Sequence, residues 1–122
     1  YSLVFKMTYK EFEMLFTGDI SEKIEKELAD ISDCDVLKVA HHGSKNSSSE
    51  EFLNILSPKL AVISAGQRNT YGHPHSETVK RLKECGAGIL CTKDVGAIMI
   101  STDGYDIRVS AKGSSTAVIC GD

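Results

Sequence analysis

The chain has 122 residues, 41% hydrophobic and 25% charged, proportions that exclude a disordered tail or a collagen-like fibre and suit one compact domain. Fourteen basic residues against seventeen acidic ones leave a net charge of −3, so any contact with nucleic acid must be local and not made by a basic surface as a whole. No apolar run approaches the roughly 20 residues that span a bilayer, and no basic stretch followed by an apolar one marks a secretory leader; a soluble domain is expected.

The first element is a hairpin. Leu3, Phe5 and Met7 alternate with Val4, Lys6 and Thr8, and Tyr9-Lys10-Glu11 turns into a second strand over Phe12 to Phe16. After Thr17-Gly18-Asp19 a helical pattern sets Ile20, Ile24, Leu28 and Ile31 on one face, with Asp19 and Glu22 spaced as a capping box. Val36 to Ala40 is a short apolar strand. A polar loop leads to a helix over Glu50 to Leu56, capped by Ser48 with Glu51 and stopped by Pro58. Leu60 to Ser64 is the next strand, and a loop from Ala65 to Pro74 leads to a helix with Val79, Leu82 and Cys85 inward, closed by Gly86. Lys80, Arg81, Lys83 and Glu84 read as the solvated face of that helix.

Ile89 to Cys91 is a third apolar run, and Asp94-Val95-Gly96 a turn. Ala97 to Ser101 and Tyr105 to Val109 flank Thr102-Asp103-Gly104 as a closing hairpin; the tail from Lys112 has no clear pattern. Alternating strands and helices with long connections predict parallel neighbours packed by helices. The fold class is therefore α/β with a mixed sheet, antiparallel at both ends and parallel in the middle. The four cysteines, Cys34, Cys85, Cys91 and Cys120, show neither CxxC nor zinc-ribbon spacing, which predicts buried reduced thiols and a cytoplasmic-type environment.

Ligands of open α/β sheets bind beyond the carboxyl ends of the strands. Asp19 falls at one such end, His41-His42-Gly43-Ser44 at the next, and the Ser64 to His75 loop at a third; all four histidines of the chain lie in the last two clusters. Asp19 alone reads equally as a helix cap. In the His41-His42 pair, adjacent side chains of an extended segment point to opposite faces, so at most one should face a shared site. Gly43 and Ser44 allow backbone and a hydroxyl to approach a metal or a phosphate. Pro74 fits the first turn of the following helix, whose N-terminus suits an anion, and Arg68, Asn69 and Tyr71, with Lys45 across, would form a phosphate-binding rim.

Phe16-Thr17-Gly18-Asp19, followed by Asp35-Val36-Leu37-Lys38-Val39-Ala40-His41-His42-Gly43-Ser44, resembles the metallo-β-lactamase superfamily. Ala61-Val62-Ile63-Ser64 with Asn69-Thr70-Tyr71-Gly72-His73-Pro74-His75 narrows the resemblance to the C-terminal hydrolase domain of the ComEC family of DNA-internalisation competence proteins. The resemblance implies an αβ/βα sandwich, of which this chain would be the C-terminal half, and a hydrolase with two divalent metal ions, zinc or manganese. It assigns Asp19 as the carboxylate bridging both metals and His42, or alternatively His41, as a ligand of one. His73 would protonate or hold the scissile group, while Ser44, Lys45, Arg68, Asn69 and His75 would contact substrate. The implied substrate is DNA, cleaved as a phosphodiester during uptake, and the implied partner is the membrane-embedded portion of a parent protein in the bacterial cell membrane.

The superfamily's HxHxDH motif precedes its Gly-Asp strand, whereas residues 1–15 here contain no histidine. The chain, which begins at Tyr1 and not Met, is thus expected to be a piece that holds metal weakly and is inactive alone. Leu3, Phe5, Phe12, Leu15 and Phe16 would be left exposed and would drive self-association. A metallo-hydrolase of esters, lactones or thioesters, and a non-catalytic module of a DNA-uptake assembly, are the alternatives.

Overall fold

The computed structural model describes residues 4–28, 32–66, 72–111 and 117–120. In chain order the elements are β1 (Phe5–Tyr9), β2 (Phe12–Phe16), α1 (Glu22–Glu27), β3 (Val36–Lys38), a 3-10 turn at Ala40–Gly43, α2 (Glu50–Leu56) and β4 (Leu60–Ile63). Then follow α3 (Ser76–Glu84), β5 (Gly88–Cys91), α4 (Thr92–Val95), β6 (Ile98–Thr102), β7 (Asp106–Ala111) and β8 (Ala117–Cys120). β1 to β5 form one sheet in sequence order, with β1 antiparallel to β2 and the other pairs parallel.

The fold is mixed α/β with a mixed sheet, as the pattern of elements implied. One feature is corrected: the closing hairpin does not extend that sheet. β6, β7 and β8 form a separate antiparallel sheet, and the tail supplies β8 where no strand was anticipated. The cause lies in the middle strands. β4 is buried at every position and β3 at Val36 and Leu37, so both faces of the large sheet need cover. On one face Leu15, Leu37, Val39, Ala61 and Ile63 pack with Phe52, Leu53 and Leu56 around α2 and with Leu82 of α3. On the other, Phe12, Met14, Val36, Leu60 and Val62 meet Ile107 and Val109 of β7, with Ile98 and Ile100 of β6 alongside. The single apolar face of the β6–β7 pair is spent on that contact, face to face, and not on an edge.

Helix ends follow local chemistry with small shifts. Ser49, not Ser48, caps α2: its hydroxyl accepts the Phe52 N–H at 3.2 Å. Ser57, in the left-handed region, ends the helix just before Pro58. α3 closes in a Schellman motif, with Ala87 N–H on Leu82 O (3.2 Å), Gly86 N–H on Lys83 O (3.1 Å) and Gly86 at φ +89. Asp94 and Val95 belong to α4 and not to a simple turn.

α1 departs furthest from its sequence pattern. It starts at Glu22 with Ser21 as the N-cap residue, so Asp19 is not its cap. Ile20 is buried ahead of the helix, Ile24 is 38% exposed, Leu28 is half-buried, and Ile31 lies outside the described residues. The buried residue of the helix is Glu25, 5% exposed. Its carboxylate accepts the N–H groups of Ser48 (2.5 Å) and Ser49 (3.0 Å), so α1 is clamped to the start of α2 by a polar contact in place of an apolar stripe.

The anticipated exposure of the first strands is corrected at Phe12 and Leu15 of β2 and holds at Phe5 of β1. Phe12 and Leu15 are 2% and 3% exposed because β2 is internal to the sheet. Phe5, on the edge strand, is 46% exposed and stacks on Phe16 with ring centroids 4.5 Å apart, while Leu3 lies outside the described residues. Cys34 and Cys91 are buried, Cys85 partly so, and all three are free thiols; burial pushes the Cys34 thiol up to about 12. Among the described residues no helix is long and apolar enough to cross a membrane.

Burial raises the pKa of Glu25 above the ordinary 4.5, against the Ser49 and Ser48 hydrogen bonds that lower it. The folded chain therefore holds the Glu25 proton more tightly than the unfolded chain. The proton-linked part of its contribution to stability is full below pH 4.5 and is lost as pH rises through the raised value. Glu25→Gln should accordingly gain on the wild type in urea-denaturation midpoint as pH rises through that window. Glu25→Ala, which orphans both N–H groups, should cost roughly 2–4 kcal/mol at neutral pH; an unchanged midpoint would show that the clamp carries no weight.

Candidate functional site

Neighbouring loops at the carboxyl ends of β2, β3 and β4 are tied to one another by short hydrogen bonds. Thr17 Oγ1 donates to Lys38 O at 2.5 Å, and His41 N–H donates to Gly18 O at 2.8 Å, so the end of β2 is fixed against the end of β3. Ala65 N–H donates to Thr92 Oγ1 at 3.0 Å, anchoring the exit of β4 to α4. The segment leading into α3 is joined to the same place, with His75 N–H on Gly43 O (3.0 Å) and Lys45 N–H on His75 Nδ1 (2.9 Å).

His41 and His42 are both in the left-handed region, at φ 51, ψ 44 and φ 54, ψ 26. For residues other than glycine this conformation costs roughly 1–3 kcal/mol each and persists only where surroundings enforce it. It also overturns the expectation that the pair would alternate. Strand alternation holds only for extended backbone, and here the chain coils tightly. Both rings therefore approach His73, at centroid distances of 5.6 Å for His41 and 6.2 Å for His42, and His75 stands 4.7 Å from His73. All four histidines of the chain meet in one cluster.

The ring nitrogens carry different states. His42 is exposed and its Nδ1–H donates to Ser64 O at 2.6 Å, which leaves the Nε2 lone pair free to act as a donor to a metal. In His75 the order is reversed, since Nδ1 accepts the Lys45 N–H. His73 is buried, 7% exposed. That burial lowers its pKa below the ordinary 6.5, and His75, His41 and His42 push it the same way, so the ring is neutral at pH 7. Pro74 precedes the N-cap residue His75 and does not enter the first turn of α3.

The acidic and basic residues divide similarly. Asp19 is exposed at the end of β2, and its charge acts on Lys38, a half-buried ammonium whose pKa burial lowers while Asp19 raises it. Lys38, at the end of β3, is a charged residue that the sequence reading passed over; a lysine inside the apolar run Val36 to Ala40 was the available signal. Lys45 is exposed. Ser44 is buried, and its hydroxyl accepts the Asn46 N–H at 3.2 Å, so the loop's own scaffold takes the contact expected for substrate. Arg68, Asn69 and Tyr71 lie outside the described residues. Arg81, expected on a solvated face, is instead drawn into the structure, donating to Glu22 Oε1 (3.2 Å) and Lys45 O (2.8 Å).

The two divalent metals implied by the resemblance can be tested against these donors. His42 Nε2 has the right chemistry, and Asp19 presents a carboxylate at the adjoining strand end. Among the described residues no group of three or more His, Cys, Asp or Glu side chains is arranged to hold a metal ion. A catalytic zinc takes three protein ligands. The residues fit part of a ligand set and not a complete one.

No protein-family model, metallo-β-lactamase or other, matches the chain. ComE operon protein 3 of Bacillus subtilis (strain 168) is 41% identical over 100 residues, which is 80% of this chain and 13% of that protein. Recombination protein 2 of Haemophilus influenzae is 36% identical over 89 residues, 72% of this chain and 11% of the relative. Competence protein ComA of Neisseria gonorrhoeae is 39% identical over 89 residues, 70% of this chain and 13% of the relative. These matches support a competence-protein family, and the chain spans only a small part of each relative's length.

Gly43 is the point where the two histidine segments touch. A Cβ there would lie 2.6 Å from Pro74 Cβ and 3.0 Å from Pro74 Cα, at a backbone φ of +84 that side chains disfavour. Gly43→Ala should therefore cost about 1–3 kcal/mol in chemical denaturation and push the His73–His75 segment outward, weakening the ring-to-ring NOEs between His73 and His41. Undiminished NOEs with undiminished stability would contradict this packing.

Proposed function

We propose that the chain is part of a metal-dependent phosphodiesterase, a nuclease acting on DNA, within a bacterial competence protein. The observation that carries the reading is the clustering of the four histidine rings beside the carboxyl ends of neighbouring parallel strands, with Asp19 following Gly18, whose carbonyl accepts the His41 N–H. The large sheet, covered by helices on one face and by a second sheet on the other, agrees in layering with half of an αβ/βα sandwich. Competence and recombination in the relatives' names supply the DNA-uptake context.

In this reading Asp19 and His42 are metal ligands, with His41 the alternative to His42. Ser64 O takes the Nδ1 proton of His42, which leaves the Nε2 lone pair for a metal. Bound divalent ions would supply a water of lowered pKa and positive charge for the phosphate oxygens. Lys45 and His75, joined by Arg68 and Asn69 of the same loop, hold the phosphodiester. His73, kept neutral among the other three rings, is suited to accept a proton or hydrogen-bond the scissile group and later return the proton. The remaining ligands, and a membrane-embedded partner portion, belong to a longer protein of which this chain supplies a small part. A non-catalytic module of a DNA-uptake assembly is the second reading, favoured by the described residues' supplying fewer than three arranged metal ligands.

The test uses the longer protein. Asp19→Ala and His42→Ala should each lower DNA cleavage by more than about 100-fold, beyond what loss of an outer hydrogen-bond partner costs, and should lower bound metal measured by elemental analysis. His73→Ala should reduce kcat with metal content intact. Unchanged cleavage in the first two variants rejects the assignment, and metal loss in the third makes His73 a ligand. Wild-type protein that holds zinc or manganese but leaves DNA uncut would favour the module reading.

A further inference from the structure

Arg81 sits where the histidine loop meets α3, and its bonding is unlike that of a solvated helix residue. Its side chain is 19% exposed. Nη1 donates to Glu22 Oε1 at 3.2 Å, Nη2 to Lys45 O at 2.8 Å, and Nε to Glu77 O one turn back at 3.3 Å. Lys45 is the residue whose N–H reaches His75 Nδ1, and the His75 N–H in turn reaches Gly43 O. Glu22 closes the circuit, because its own N–H donates to Asn46 O at 3.0 Å. One guanidinium thus joins the start of α1, the loop after the histidine pair, and α3.

We propose that Arg81 is the positioning residue that sets the chemical state of His75. Lys45 is held at both ends of its backbone, its C=O by Arg81 and its N–H by the His75 ring. With the carbonyl fixed, Lys45 Cα is pinned beside the His75 ring, which restrains the preceding peptide and keeps its N–H on Nδ1. A neutral imidazole that accepts at Nδ1 carries its proton on Nε2, so the second ring nitrogen of His75 is a hydrogen-bond donor, of the kind an anionic oxygen such as a phosphate's accepts, and not a metal ligand. The planar guanidinium serves two acceptors in different elements at once, which an ammonium on a flexible stem does poorly. Assigning this oxygen to a DNA phosphate rests on the function proposed above; the control of the His75 state by Arg81 does not.

The experiment reads ring tautomers in the 15N-labelled chain by long-range 1H–15N correlation, at a pH where the imidazoles are neutral. In the wild type His75 should be a single Nε2–H tautomer and His42 a single Nδ1–H tautomer. Arg81→Met should leave His42 as it is, convert His75 to a mixture, and raise hydrogen exchange of the Lys45 amide by about tenfold or more. Arg81→Lys keeps the charge without the bridge and should resemble the Met variant. Glu22→Ala, which removes one anchor and leaves the guanidinium, should move both readouts the same way by less, and it decides the matter if Arg81→Met does not fold. A single Nε2–H tautomer at His75 with unchanged Lys45 exchange in these variants would overturn the proposal even if the melting temperature fell, since an ion pair that only stabilises shifts the melt and not the tautomer. None of these readouts involves metal or DNA cleavage, so the nuclease reading stands or falls separately.

Discussion

The structure turns on the double burial of its middle strands. Val36 and Leu37 are adjacent on β3 and both fully buried, and β4 has no exposed position. A strand apolar on both faces is stable only when both faces are covered. Helices α2 and α3 cover one and the β6–β7 sheet the other, so the ends of these strands remain as places where polar groups reach solvent. The parallel order of β2, β3 and β4 directs all three carboxyl ends to the same side. Concentration of histidines there follows from topology before any chemistry is considered.

Bringing the rings together needs a second device. The chain leaves β3 through two successive left-handed residues, an arrangement that is locally unfavourable. Several contacts compensate: His41 N–H on Gly18 O, His42 Nδ1–H on Ser64 O, and Gly43 packed against Pro74. Gly18 follows β2, and Ser64 and Pro74 stand at the two ends of the connection between β4 and α3. Strain at His41 and His42 is therefore supported jointly from the end of β2 and from the connection after β4, and it would relax if either moved.

What was legible in the sequence was local. The strands of the opening and closing hairpins show period-2 alternation or tight-turn residues, and α2 shows a capping serine within one position of the true cap. The Schellman end of α3 was marked by Gly86. Features set by distant partners were not legible. That β6 and β7 stack on the sheet instead of joining it depends on surface left bare by β2 to β4. Glu25 breaks the apolar periodicity expected of α1 because its partners are two backbone N–H groups 23 and 24 residues away. Arg81 was read with its neighbours as a solvated run, yet its acceptors lie 59 and 36 residues earlier in the chain. At His41-His42 the alternation rule itself failed, since no residue type there announces a left-handed turn. The cluster was foreseen from its place at strand ends; its geometry was not.

On the function proposed above, the two tautomers would divide the site between kinds of ligand. At His42 a backbone carbonyl takes the Nδ1 proton and leaves an electron pair on Nε2; at His75 a backbone N–H fills Nδ1 and leaves a proton on Nε2. A cation suits the first and an anion the second, and metal-assisted cleavage of a phosphodiester brings both together. Asp19 and Lys45 repeat the same division in charge, at the ends of β2 and beyond β3. The groups that fix the two rings, Ser64 C=O and Lys45 N–H, are main-chain atoms and do not depend on which side chains those positions carry. Conserving the division therefore requires only that the loops keep their places, and the placing is done by Thr17, Thr92, Glu25 and Arg81, whose bonds anchor strand ends and loops to one another. Chemistry of the cluster is, on this argument, a consequence of how its loops are anchored more than of the ring count alone.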